Sequence, residues 1–133
     1  MPVAMRMTVL SILLSVMSNN ALAEWVKVFR DQSFTVYANP ATIRKTDSRV
    51  KMSVLYDYQS DQSSTGSKPY RSSTRLSEYD CNEGQSRILS LTGHSANMGE
   101  VDTVFSLSEP EAWERVPPGS LGELIWKIAC EKM

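Results

Sequence analysis

The chain has 133 residues, of which 41% are hydrophobic and 22% charged, and 14 Lys plus Arg stand against 15 Asp plus Glu for a formal net charge of −1. That length holds one domain of the usual size, about 100 to 150 residues, and the composition excludes collagen-like repeats and wholesale disorder. The near-neutral balance excludes the strongly basic profile of a dedicated nucleic-acid binder, so no nucleic-acid partner is expected.

Residues 1–23 read as a segment that is removed. Arg6 supplies a positive start, Met7 to Met17 is an apolar run broken only by Thr8, Ser11 and Ser15, and Ala21-Leu22-Ala23 forms an A-x-A site before Glu24. This is the three-part pattern of a secretory signal peptide. The run stops at Ser18-Asn19-Asn20, short of the roughly 20 apolar residues of a membrane span, so no span is expected after cleavage. Glu24 rather than Cys follows the cleavage site. The expectation is therefore an exported chain, periplasmic or extracellular, without a lipid-anchor cysteine.

Residues 24–133 then form a single domain with 13 basic and 15 acidic groups, and they keep both cysteines. Thiols in an oxidising compartment normally pair, so Cys81 and Cys130 are expected to form a disulfide. Such a bond closes a loop of roughly 50 residues, which on chain-entropy grounds contributes about 4 kcal/mol. The rival is a metal or catalytic thiol site. Two cysteines 49 positions apart and a single His94 make neither a C-x-x-C pair nor a complete ligand set. No metal and no cofactor are expected.

In chain order the period is mostly two. Trp25 to Arg30 and Ser33 to Ala38 read as a first hairpin across Asp31-Gln32, and Asn39-Pro40 is expected to end the second strand. From Arg49 to Tyr58, Val50, Met52, Val54, Tyr56 and Tyr58 point one way, with Leu55 the exception on the other side. Gln59 to Pro69 is rich in Ser, Thr and Gly and reads as a long exposed hairpin loop. Tyr70 to Asp80, Gln85 to His94 and Val101 to Leu107 are further strands, punctuated by Asn82-Glu83-Gly84 and Asn97-Met98-Gly99. No connection before Glu109 is long and helical enough for a parallel crossover, so an antiparallel meander of about six strands follows.

The period changes at the end of the chain. Ser120-Leu121-Gly122-Glu123 matches a capping box after Pro117-Pro118-Gly119, and Leu121, Leu124, Ile125, Ile128 and Ala129 fall on one helical stripe. The fold class is thus α+β: a meander with one C-terminal helix packed on a sheet face. Cys130 lies off the middle of the stripe, on the flank with Trp126, so the disulfide is expected to tie the helix by its edge.

Trp25, Asn39-Pro40-Ala41-Thr42-Ile43, the Val50 to Tyr58 strand, Glu78-Tyr79-Asp80-Cys81, Met98-Gly99, Trp113, Pro118-Gly119-Ser120, Glu123 and Cys130 together resemble the surface-adhesin protein E family of exported bacterial proteins. The resemblance spans nearly the whole of 24–133 and implies an antiparallel sheet with a C-terminal helix held on it by a disulfide. These residues are fold markers. The family takes its name from an adhesin that binds host extracellular-matrix and plasma proteins, and what the resemblance implies for this chain is a non-enzymatic protein-interaction domain. The alternative is a soluble periplasmic domain that binds a small ligand or assists another envelope protein. A dry, filled core beneath the helix favours the first and a lined cavity the second.

No catalytic residues are expected. His94-Ser95 lacks a G-x-S-x-G elbow and an orienting carboxylate, and Asp80 beside Cys81 raises rather than lowers a thiol pKa. Trp25, Trp113 and Trp126 are read as caps on a small core rather than a ligand cage. Charge is uneven along the chain: residues 24–75 carry nine basic and five acidic groups, residues 76–133 four and ten. Lys68, Arg71 and Arg75 bracket the loop and the following strand and form a candidate basic patch for an acidic extracellular or envelope protein. The competing expectation is a solvated strand face neutralised by acidic residues that the meander interleaves with it. An unpaired edge strand leaves dimerisation by strand addition open.

Overall fold

Alternation along β3 (Arg49–Gln62) divides the sheet into two faces, as Val50, Met52 and Val54 are buried on one side and Leu55 on the other. The structure, a computed structural model, describes residues 24–131 apart from Ser64, Thr65 and Ser67. The expected signal peptide at 1–23 lies outside the described residues. Around β3 stand β1 (Val26–Arg30), β2 (Phe34–Thr46), β4 (Tyr70–Asp80), β5 (Gln85–His94) and β6 (Thr103–Leu107). They are arranged in the order β1-β2-β3-β4-β5-β6, and every pair is antiparallel. The meander expected from the turn signals is observed. A two-residue strand, β7 (Glu114–Arg115), comes back to pair with β5 at Gln85 and Ser86.

The helix α1 (Leu121–Glu131) lies on the Val50–Met52–Val54 face, and Ile125 and Ala129 join Val36, Ala38, Val50, Met52, Val54 and Tyr79 in the buried core. Its stripe differs from expectation at one position: Leu124 is 42% exposed, whereas Trp126, Ile128 and Cys130 pack against the core. The disulfide supplies the reason. Cys81 and Cys130 are bonded, with Cα atoms 5.7 Å apart, and Trp126 Nε1 donates to the Asp80 carbonyl at 3.2 Å. Together they draw the Trp126–Cys130 flank toward the sheet and turn Leu124 outward.

The capping box forms with a shift of one residue. Glu123 N donates to Ser120 Oγ at 3.1 Å, but the Glu123 carboxylate reaches Gly119 N, at 3.2 Å, rather than Ser120 N. Ser120 N is already donated to the Pro117 carbonyl at 3.3 Å. Strand boundaries also move: β6 starts at Thr103 rather than at Val101, whose backbone is left-handed with φ of 65°. Asn39-Pro40 does not end β2, which runs on to Thr46 through a break in register between Asn39 and Arg44. Proline has no N–H for the ladder and is tolerated at such a bulge. Here the Thr42 hydroxyl patches the gap, as it accepts from Ser53 N at 2.9 Å and donates to the Asn39 carbonyl at 2.7 Å. The loop expected at Gln59 to Pro69 is shorter, because β3 continues to Gln62.

The opposite face is covered at one end by a 3-10 turn, Asn97–Gly99. Asp57 Oδ1 accepts from Met98 N at 2.9 Å and from Asn97 Nδ2 at 2.8 Å, and Ser72 Oγ accepts from Gly99 N at 2.9 Å. This turn explains the one residue that broke the alternation of β3: Leu55 is fully buried, and Gly99 lies against it.

Candidate functional site

Beyond the helix, the same sheet face carries a row of aromatic rings. Cross-strand partners share a face, and the register pairs Phe34 with Tyr58, Ser73 with Tyr56 and Gly93, and Gly93 with Phe105. The rings are in sequence: Phe29 and Phe34 at 5.9 Å between centroids, Phe34 and Tyr56 stacked at 5.6 Å, Tyr56 and Tyr58 at 6.4 Å. Tyr58 and Tyr70 follow edge-on at 5.9 Å, and Tyr70 and Phe105 at 5.1 Å. All six are partly accessible. The row crosses from β1 to β6, with Phe29 beside Leu121 and Leu124 of α1 and Tyr56 under Arg75.

A cleft of about 180 Å³ separates the start of α1 from the β4–β5 part of this face. It is lined by the apolar groups of Val54, Tyr56, Ile88 and Ile125, by Ser77 and Tyr79, and by the cations Arg75 and Arg87. Glu111, on the segment that leads into β7, and Glu114, in β7 itself, also line it, and Glu111 N donates to the Ile88 carbonyl at 2.8 Å. Burial holds the Tyr79 phenol well above the usual tyrosine range, with a hydrogen bond from Ser77 opposing the shift. Tyr56 is pushed up by the same cause, and the Arg75 charge opposes it.

The three residues of the candidate basic patch have separate surroundings. Lys68 is exposed and borders a shallow groove that also contains Asp102. Arg71 donates to the Gln59 carbonyl at 2.7 Å and meets Asp61 at 3.5 Å. Arg75 lies over Tyr56, its guanidinium carbon 3.8 Å from the ring centroid, and among the described residues its Nε is buried with no hydrogen-bond partner. The meander also does not interleave the two charge halves. Strand order equals chain order, so the basic and acidic halves lie side by side and meet at pairs such as Arg49 with Asp80, 3.8 Å apart.

The remaining candidates have structural partners. His94 Nε2 and Thr74 Oγ1 are 2.8 Å apart, and burial lowers the His94 pKa. Asp80 Oδ1 accepts from Asn82 N at 3.1 Å and Glu83 N at 3.0 Å, which shapes the turn that presents Cys81. Trp113 lies between the guanidinium groups of Arg49 and Arg87, at 5.1 and 4.6 Å, and Arg87 also pairs with Glu78 at 2.8 Å. Among the described residues no two of the three tryptophans are in ring contact. The aromatic row and the cleft were not singled out by the sequence reading, although Val54, Tyr56 and Tyr58 had been placed on one strand face. Their assembly needed the register of five strands.

The family model for surface-adhesin protein E matches residues 25–131, nearly the whole of the described chain. No curated protein matches the chain.

Proposed function

The chain belongs to the surface-adhesin protein E family, and on that premise we propose that it is an exported protein-interaction domain that binds an extracellular macromolecule through the aromatic row. The observation that carries this reading is the partly exposed line Phe29, Phe34, Tyr56, Tyr58, Tyr70 and Phe105. Rigid aromatic side chains are enriched where protein partners dock. Lys68, Arg71 and Arg75 lie at or beside the row and suit a partner whose contact segment is acidic as well as apolar. The disulfide supports an oxidising compartment, as export requires. The outer edges of β1 and β6 offer strand addition as a route to a dimer.

The test combines location with binding. The protein is expected to be reached by external protease on intact cells, and to capture matrix proteins that a Tyr58→Ser/Tyr70→Ser variant of equal thermal midpoint does not capture. Protection until the outer envelope is opened, or full capture by the variant, would overturn the reading. An Arg71→Glu/Arg75→Glu variant that keeps its fold and all its binding removes the charge from it.

A second reading, a small-ligand domain of the periplasm, is favoured by one observation, the cleft beneath the start of α1. At about 180 Å³ it is smaller than most small-molecule sites, which run to roughly 300 Å³ and above. Beneath the second half of α1 the core is filled by Met52, Val50 and Ala129, which suits the interaction domain.

A further inference from the structure

Arg75 lines the cleft. Arg75 makes no salt bridge among the described residues, its Nε is buried without an acceptor, and Ser73 Oγ, the next side chain on the same face of β4, is likewise buried and unpartnered. Its guanidinium carbon is held over Tyr56, 3.8 Å from the ring centroid, so the group is positioned before any ligand arrives. A buried guanidinium N–H left unmade is costly, and the group that matches the fork is a carboxylate, which accepts two parallel hydrogen bonds.

The rest of the cleft selects for the body that carries that carboxylate. Val54, Ile88 and Ile125 give it apolar walls. Its volume of about 180 Å³ takes a group of about benzene size, which a cavity of about 150 Å³ accommodates. Glu111 and Glu114 set the direction. The segment that bears them bonds at Ile88, whose strand partner is Ser77, while Arg75 is paired with Leu91, one pleat further along. Arg87 also lines the cleft but is already paired with Glu78 at 2.8 Å, so among the described residues Arg75 is the lining cation left for an anion, while Glu111 and Glu114 repel one.

We propose that this cleft binds a single apolar carboxylate, its hydrocarbon body between Val54, Ile88 and Ile125 and its carboxylate on Arg75. The proposal rests on the small-ligand reading of the cleft and names its ligand class. Two sources share this chemistry: a free carboxylic acid, and the C-terminal residue of a peptide.

The test uses the folded, disulfide-bonded protein and backbone amide shifts. 3-Phenylpropionate is expected to give saturable shifts at Ser77, Ile88 and Gly122. 3-Phenylpropanamide, which keeps the body and loses the charge, is expected to bind at least about tenfold more weakly, as is the acid to Arg75→Gln. Gly122→Leu, a change at an exposed helix position that lines the cleft, is expected to block both probes and serves if Arg75→Gln does not fold. Equal binding of acid and amide, or no loss in Arg75→Gln, would leave the small-ligand reading standing and overturn the carboxylate assignment. No shift with either probe would overturn both. Gly-Gly-Phe with a free C-terminus distinguishes the sources: tighter binding than 3-phenylpropionate assigns a peptide end and weaker binding a free acid, and both support the proposal.

Discussion

Gly93 and Phe105 face each other across the β5–β6 pair, and the Phe105 ring occupies the space that a Cβ on Gly93 would need. The absence of a side chain on β5 is therefore what lets Phe105 lie down on the sheet and reach Tyr70, 5.1 Å away. Gly93→Ala is expected to expel the ring and to cost about 1 to 3 kcal/mol, as overpacking usually does. Urea midpoints check it. In a Phe105→Ala background the same change is expected to cost much less, and equal costs in the two backgrounds would show that the ring is not the obstacle.

The Cys81–Cys130 bond joins the β4–β5 turn to the last turn of α1. Replacement of both cysteines by Ala is expected to remove about 4 kcal/mol, since the bond closes a loop of about 50 residues in the unfolded chain. The loss is expected to be local as well as global: amide exchange speeds up in α1 before it does in β3. Uniform acceleration across both elements would show that the helix stays docked without the bond.

What was legible in the sequence follows from physical range. The β3 alternation, the helix stripe and the cysteine pair are local patterns or counts, and each is observed, the stripe with Leu124 turned out of it. Asn39-Pro40 misled because the ladder repair at that point comes from the Thr42 hydroxyl, a side-chain bond to Ser53 that is 11 residues away. Leu55 stood as an unexplained exception until the 3-10 turn came to lie over it. The aromatic row has no sequence period, because its members are drawn from β1, β2, β3, β4 and β6. Arg71 and Arg75 were visible as charges, but that one meets Asp61 and the other has no acidic partner among the described residues depends on the fold.

Asp57 anchors the Asn97–Gly99 turn, in which Met98 takes a left-handed backbone with φ of 60°. That conformation is unfavourable by about 1 to 2 kcal/mol for a residue with a side chain, and the Asp57 carboxylate offsets it by accepting from Met98 N. Asp57→Ala is expected to destabilise the protein by about 1 to 2 kcal/mol through the orphaned N–H. Hydrogen exchange at Met98 and Gly99 is expected to rise selectively. Unchanged protection there would show that Ser72 and the Tyr58 carbonyl hold the turn alone.

Tyr79 makes stability depend on alkaline pH. Burial among the core residues holds its phenol protonated well above the ordinary tyrosine range, against the opposing Ser77 hydrogen bond and Arg75 charge. In the unfolded chain the phenol titrates near its ordinary value of about 10. Above that pH the unfolded state has released a proton that the folded state still holds, so the free energy of unfolding falls as pH rises, by up to about 1.4 kcal/mol per pH unit for this one group. Below it the contribution is fully present. Urea midpoints are therefore expected to drop between about pH 9 and about pH 11 more steeply in the native chain than in Tyr79→Phe. Tyr56, raised by the same cause, leaves a residual slope in the variant. If the two proteins instead lose stability in parallel, the Tyr79 phenol ionises in the folded state and the core at that position admits water.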